Sequence, residues 1–128
     1  HFAVDAVLTA GAESHASPAM MRTAEGGAEY VDVVPVAGGT GPLVAARRAG
    51  YRLVATAARA KASLYDAPLP PRSLIMLGAE VDGLQPDLLR MADQTVRIPG
   101  SGALDSLNVA CAAAVLLAEY WRCHRGAG

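Results

Sequence analysis

The chain has 128 residues, a formal net charge of -1, and a composition that is 52% apolar but only 5% aromatic. That length suits one domain that buries a core without metals or disulfide staples, and the aromatic-poor balance leaves Ala, Val and Leu to fill it. Collagen-like, disordered and disulfide-rich classes are excluded, and near-neutrality leaves no global footprint of nucleic-acid binding, so affinity for a polyanion must come from local arginines or a segment outside the chain.

The elements follow in chain order. Phe2 to Leu8, stopping at Thr9-Ala10-Gly11, reads as a short buried strand that opens abruptly at His1. No basic, apolar and small-residue leader pattern precedes it, so the expectation is a domain that lacks its beginning. Ser17-Pro18 predicts a helix start with Ser as N-cap, running over Ala19 to about Ala24 before Gly26-Gly27. Tyr30 to Val36 is a β-branched run that ends at Gly38-Gly39. Thr40 can cap a second helix through Leu43 and Arg47 that closes at Gly50, and Tyr51 to Ala55 predicts another buried strand.

Pro68, Pro70 and Pro71 mark a loop before the strand Leu74 to Leu77, which breaks at Gly78. Pro86 to Met91 suits a short helix, and Thr95 to Ile98 a last strand ended by Pro99-Gly100. From Ser106 to about His124 the positions Leu107, Ala110, Cys111, Ala114, Leu117, Ala118 and Trp121 recur at helical steps, predicting the longest helix. Val109, Val115 and Leu116 add apolar surface on other sides, more than one sheet contact buries, so part of this helix is expected at a subunit interface.

Strands alternating with helices predict an α/β domain over 1-128, with a mainly parallel sheet flanked by helices and its ligand site beyond the carboxyl ends of the strands. The longest strongly apolar stretch, Val109 to Ala118, stops at Glu119. That is about half of the ~20 residues that span a bilayer, so no membrane role is expected. Cys111 and Cys123 stand in or near one helix, roughly 18 Å apart at its rise per residue, too far to bridge. A reducing cytoplasm is the simple inference. His1, His15 and His124 are scattered, with no Cys-x-x-Cys and no Gly-x-Ser-x-Gly, which argues against a metal centre and a hydrolase elbow.

Residues that packing does not require concentrate in three loops: 78-83, 100-102 and 106-108. Gly78 and Gly83 let backbone groups approach a ligand, although they equally shape a turn. Glu80 offers a carboxylate to an arginine or a hydroxyl, or is simply solvated. Ser106 can cap the last helix, whereas Asn108 in the first turn is less well explained by capping and can place an amide beside a ligand. Arg47, Arg48, Arg52, Arg59 and Lys61 form a mildly basic stretch that either touches phosphates or is a solvated face.

Three linked blocks carry a family resemblance. They are Leu74-Ile75-Met76-Leu77-Gly78-Ala79-Glu80-Val81-Asp82-Gly83-Leu84, Val96-Arg97-Ile98-Pro99-Gly100-Ser101-Gly102, and Ser106-Leu107-Asn108-Val109-Ala110. In this order they resemble the second and third motifs of the TrmH/SpoU family of SPOUT-class RNA 2'-O-ribose methyltransferases. Arg22 to Tyr30 is similar to the segment before the second strand of members described as tRNA/rRNA methyltransferases, so the likeness covers nearly the whole chain.

The resemblance implies a C-terminal trefoil knot, binding of S-adenosyl-L-methionine, a homodimer, and methylation of a ribose 2'-hydroxyl in tRNA or rRNA. It matches Gly78, Ile98 and Leu107 to positions whose backbone holds the cofactor, with Leu77, Gly83 and Gly102 beside them and Thr56 and Ala57 toward the adenosine. It matches Glu80, Ser106 and Asn108 to polar active-site positions, of which Glu80 and Asn108 also border the cofactor. The family's catalytic arginine belongs to a first motif expected just before residue 1. Gly100 stands where an apolar residue often follows Ile-Pro, and Ala110-Cys111 replaces the commoner Ser-containing continuation. Two rivals stand beside this reading: a non-catalytic RNA-binding or dimerisation module on the same fold, and an unrelated nucleotide-binding α/β domain.

Overall fold

The structure, a computed structural model, describes residues 1-10, 30-79, 82-102 and 107-125. The helix expected over 19-24 lies outside them, as do Glu80 and Ser106. The chain falls into two compact units, His1–Pro42 and Leu43–Gly128.

In the first unit, β1 (Ala6–Ala10) pairs in parallel with β2 (Asp32–Val36), in a register running from Ala6 opposite Asp32 to Ala10 opposite Val36. Pro35 sits within β2 opposite Thr9. Proline contributes no amide donor to a ladder, so its place in this pair marks β2 as an edge-type strand.

The helix α1 (Gly41–Arg48) enters the second unit at Leu43, and the unit continues through β3 (Arg52–Thr56), β4 (Ala62–Ser63), β5 (Ser73–Met76), α2 (Pro86–Met91), β6 (Gln94–Arg97) and α3 (Val109–Arg125). The sheet order is β4-β6-β3-β5 and every pairing is parallel. β4 is two residues long, too short to leave a periodicity in the sequence, and it was not among the expected strands.

Because successive side chains of a strand point to opposite faces, β3 divides the core in two. Val54 joins Leu64, Leu69, Val96 and Leu116, with Val115 and Tyr120 of α3 packed on them. Leu53 and Ala55 join Leu43 and Met76, with Leu88, Leu89 and Met91 around them. Thus α3 covers one face and α1 with α2 the other. Leu53, Val54 and Ala55 are each 0% exposed, as expected for a central parallel strand covered on both sides.

Helix α1 ends as its sequence demands. Gly50 takes φ +88°, its amide donates to the Arg47 carbonyl and that of Tyr51 to the Ala46 carbonyl, the paired bonds of a Schellman cap. Helix α2 starts with Pro86, where a missing amide costs nothing.

Helix α3 departs from the sequence reading in two ways. It starts at Val109 rather than Ser106. The stripe Ala110, Cys111, Ala114 and Ala118 is also exposed, while Leu116 and Glu119 are buried. Two apolar stripes run along this helix, and periodicity alone does not say which one meets the sheet. The buried Glu119 carboxylate accepts from Arg122 at 2.8 and 2.7 Å, the main cause of its lowered pKa. Its far end is fastened by Tyr120, whose hydroxyl donates to the Pro71 carbonyl, and by His124 Nε2, 2.7 Å from the Leu69 carbonyl.

At the amino ends of the strands, Asp93 joins α1 to the sheet. Its carboxylate accepts the Leu53 amide at 2.8 Å and lies 3.3 Å from Arg47, which also donates to the Met91 carbonyl. The Leu53 amide bond, helped by the charges of Arg47 and Arg52, holds this carboxyl below the ordinary carboxylate range against an opposing effect of burial. A depressed folded-state pKa stabilises the fold above the unfolded value, and that contribution fades as pH falls through the folded value. Asp93→Ala is therefore expected to cost about 1-3 kcal/mol at neutral pH by stranding the Leu53 amide. In urea titrations the gap between the two proteins should shrink below about pH 4; an equal gap at acid pH would refute the assignment.

Candidate functional site

All four strands of the second unit run the same way, so their carboxyl ends gather at one side. Such an edge is where open α/β sheets hold ligands. An open cleft of about 1130 Å³ lies there, against a usual 300-1,000 Å³ for small-molecule sites.

The cleft assembles most of the residues the sequence singled out. Thr56 ends β3, Ala57 follows it, Leu77 and Gly78 follow β5, and Ile98 follows β6. Gly83, Gly102 and Leu107 complete the set of expected residues along its wall. The strand ends are tied by short bonds: Thr56 Oγ1 donates to the Met76 carbonyl at 3.1 Å, and the Ala57 amide to the Val96 carbonyl at 3.1 Å. Glu80 and Ser106 lie outside the described residues.

Gly78 is required by the geometry. A Cβ there would stand 2.2 Å from the Gly83 carbonyl carbon and 2.3 Å from the Leu84 amide nitrogen, both backbone atoms unable to rotate away. Gly83 closes the same loop with φ +65°, its amide donating to the Ala79 carbonyl at 2.9 Å. Gly78 and Gly83 both line the cleft, where the lack of a Cβ lets backbone groups come close to a ligand.

The amino end of α3 also borders the cleft, which Val109 and Ala112 line. Asn108 is the cap: its Oδ1 accepts from the Ala110 amide at 2.9 Å and the Cys111 amide at 3.4 Å. Asn108, which capping was expected to explain less well than Ser106, thus caps the helix through its Oδ1. The amides it satisfies are ones a helix start otherwise leaves without partners.

Leu84, Leu89 and Arg97, to which the sequence gave no individual role at the cleft, also line it, as does Asp82 of the expected 78-83 loop. Arg97 follows the buried Val96 on β6, and strand alternation turns it away from the core cluster that Val96 joins. The basic stretch of the sequence is divided by the fold. Arg47, Arg48 and Arg52 stand at or before the start of β3, while Arg59 lies beyond its end and lines the cleft. Among the described residues there is no cluster of His, Cys, Asp and Glu able to hold a metal ion, and no helix is long and apolar enough to cross a membrane.

Gly78→Ala is expected to destabilise the second unit by about 1-3 kcal/mol, because the added methyl forces backbone apart. Gly83→Ala has open space around it and incurs only its positive φ, about 1-2 kcal/mol. Equal urea midpoints for Gly78→Ala and the parent would contradict the close approach.

Comparison with known proteins identifies the family and the fold. The model of the SpoU rRNA methylase family matches residues 1-118. The chain is 39% identical over 123 residues to the uncharacterized tRNA/rRNA methyltransferase YfiF of Escherichia coli O157:H7, spanning 95% of this chain and 35% of that protein. It is 34% identical over 106 residues to the 23S rRNA (guanosine-2'-O-)-methyltransferase RlmB of Pseudomonas syringae pv. tomato, spanning 83% of this chain and 42% of RlmB. The chain thus spans less than half the length of these relatives. A crystal structure of an RNA 2'-O ribose methyltransferase superimposes with a TM-score of 0.84 at 35% identity, over 94% of this chain and 46% of that one. The SpoU methyltransferase AviRb of Streptomyces viridochromogenes, solved with AdoMet, gives 0.87 at 28% identity, over 99% of this chain and 50% of its own. With the three sequence blocks gathered around one cleft on the same fold, the chain belongs to the SpoU rRNA methylase family.

Proposed function

We propose that the protein is an RNA 2'-O-methyltransferase that binds S-adenosyl-L-methionine in the cleft at the strand ends and methylates a ribose of tRNA or rRNA. The observation that carries this reading is the Gly78 loop, where a side chain is excluded by backbone at 2.2 Å and bare peptide groups are left to hold the cofactor. When bound, the cofactor supplies a sulfonium methyl: the ribose 2'-oxygen bonds to its carbon, the carbon-sulfur pair goes to sulfur, and the hydroxyl proton passes to an acceptor.

The cleft fits that group. Leu77, Gly78, Ile98 and Leu107 contribute backbone and apolar contacts, with Gly83 and Gly102 in the bordering loops and Thr56 and Ala57 at the adenosine end. Glu80, Ser106 and Asn108 are the proposed polar positions of the reaction. Asn108, whose Oδ1 is engaged in capping α3, acts by fixing the helix end that borders the site. A ribose hydroxyl is a weak nucleophile, so most of the gain comes from holding oxygen, methyl carbon and sulfur in line. Proton removal adds a further factor.

The proposal extends to a single methyltransferase domain over residues 1-128 with a C-terminal trefoil knot, to a homodimer, and to a cytoplasmic setting where the RNA resides. The dimer reading is supported by the exposed stripe Ala110, Cys111, Ala114 and Ala118 on α3, beside Leu107 and Val109 at 51% and 38% exposure. Small side chains there allow a second helix close approach. A non-catalytic RNA-binding module is the alternative that the same fold permits.

Isothermal calorimetry of the intact protein with S-adenosylhomocysteine should show saturable binding in the micromolar range, about -8 kcal/mol. Incubation with methyl-labelled cofactor and bulk RNA should give 2'-O-methylated nucleosides. Absence of heat at millimolar ligand would remove the cofactor reading, and binding without transfer would favour the non-catalytic module. Sedimentation should report a dimer that Ala114→Glu converts to monomer; a strictly monomeric parent at high concentration would eliminate the interface.

A further inference from the structure

Arg59 and Arg97 are the two guanidinium groups among the described residues that line the cleft. They rise from neighbouring strand ends. Thr56 of β3 stands opposite Val96 of β6, Arg97 is the next residue of β6, and Arg59 lies in the turn that follows β3. That turn is fixed at both ends, by the Ala57 amide on the Val96 carbonyl and by the Ala60 amide on the Ala57 carbonyl, each at 3.1 Å. The Arg97 carbonyl is likewise held by the Leu64 amide at 2.9 Å. Adjacent strands lie about 4.8 Å apart, so two long side chains from these positions can meet one anion.

Neither guanidinium makes an ion pair among the described residues, whereas Arg47, Arg90 and Arg122 are joined to Asp93, Asp87 and Glu119. The carboxylate described at the cleft is Asp82, which lies beyond β5, on the side of β3 away from β6. The proposed methyl donor does not supply the missing counter-charge: its ammonium and sulfonium outnumber its one carboxylate.

We propose that Arg59 and Arg97 form a phosphate-binding fork at the mouth of the cleft, taking a phosphodiester of the RNA that flanks the ribose to be methylated. Guanidinium forks match phosphate geometry through paired N–H donors. The two arginines position the substrate strand over the methyl donor. This rests on the reading of the cleft as a methyl-donor site acting on RNA.

The test compares the parent with Arg59→Ala/Arg97→Ala in two separate titrations, one with S-adenosylhomocysteine and one with bulk tRNA and fragmented rRNA at several salt concentrations. The double variant should bind S-adenosylhomocysteine within about twofold of the parent, which also reports that it folds. Its RNA affinity should fall about tenfold at low salt, and the slope of log affinity against log salt should flatten by about 0.7 or more for the lost phosphate contact. Arg59→Lys/Arg97→Lys should keep the slope while losing affinity, because the charge remains and the paired donors do not. Unchanged RNA affinity and slope in the alanine variant would overturn the fork. So would weakened S-adenosylhomocysteine binding with RNA binding intact, which would assign the arginines to the cofactor carboxylate. A parent that binds RNA but no S-adenosylhomocysteine would bring down the cofactor reading instead, and the salt slopes would still decide the fork.

Discussion

Strand β3 is hydrogen-bonded on both edges and covered on both faces, and the rest of the second unit is arranged around that condition. A strand in this position has no solvent side, so Leu53, Val54 and Ala55 must all be apolar and must all find partners. Its two faces recruit α3 on one side and α1 with α2 on the other. Since β4, β5 and β6 run parallel to it, the connections return along the faces and every strand ends on one edge. The cleft is a consequence of that directionality. At the opposite edge Asp93 secures the start of β3 through the Leu53 amide and holds the end of α1 through Arg47.

The cleft wall combines apolar side chains such as Leu77, Ile98 and Leu107 with peptide groups left bare at Gly78 and Gly83, and those two glycines are tightly constrained. The residue at 78 has no room for a Cβ, and the residue at 83 takes a backbone angle that favours glycine. Asn108 caps the start of α3, whose Val109 and Ala112 line the same cleft. A wall of this kind recognises shape and hydrogen-bonding edges. Its charge among the described residues comes from Arg59, Arg97 and Asp82.

Much of this was legible in the sequence, for identifiable reasons. Parallel strands buried on both faces produce short runs such as Leu53 to Ala55 and Leu74 to Met76, and Gly50, Pro86 and the Gly78-Gly83 pair mark the boundaries between elements. The expected cleft residues Thr56, Ala57, Leu77, Gly78, Gly83, Ile98, Gly102 and Leu107 lie along one cavity because each sits at or just past a strand end or in a bordering loop. What escaped notice was less local. β4 is two residues long and depends on its pairing with β6. The inward stripe of α3 includes Glu119, a carboxylate whose burial is made tolerable by Arg122, a partner visible only once the helix is formed. The start of α3 at Val109, three residues beyond the expected Ser106, makes Asn108 its cap, a role that the helix boundary alone decides.

Charge is where composition and structure diverge most. A net charge of -1 gives no reason to expect a polyanion partner, yet net charge averages over groups that neutralise one another within the fold. Arg47, Arg90 and Arg122 are each joined to a carboxylate and contribute little field at a distance. Arg59 and Arg97 make no ion pair among the described residues, and both line the cleft. Low-dielectric walls focus the field of such a pair into the opening. Attraction for an anion at this edge is therefore set by the placement of two side chains, and it coexists with a near-neutral chain because the remaining described ion pairs are closed elsewhere in the unit.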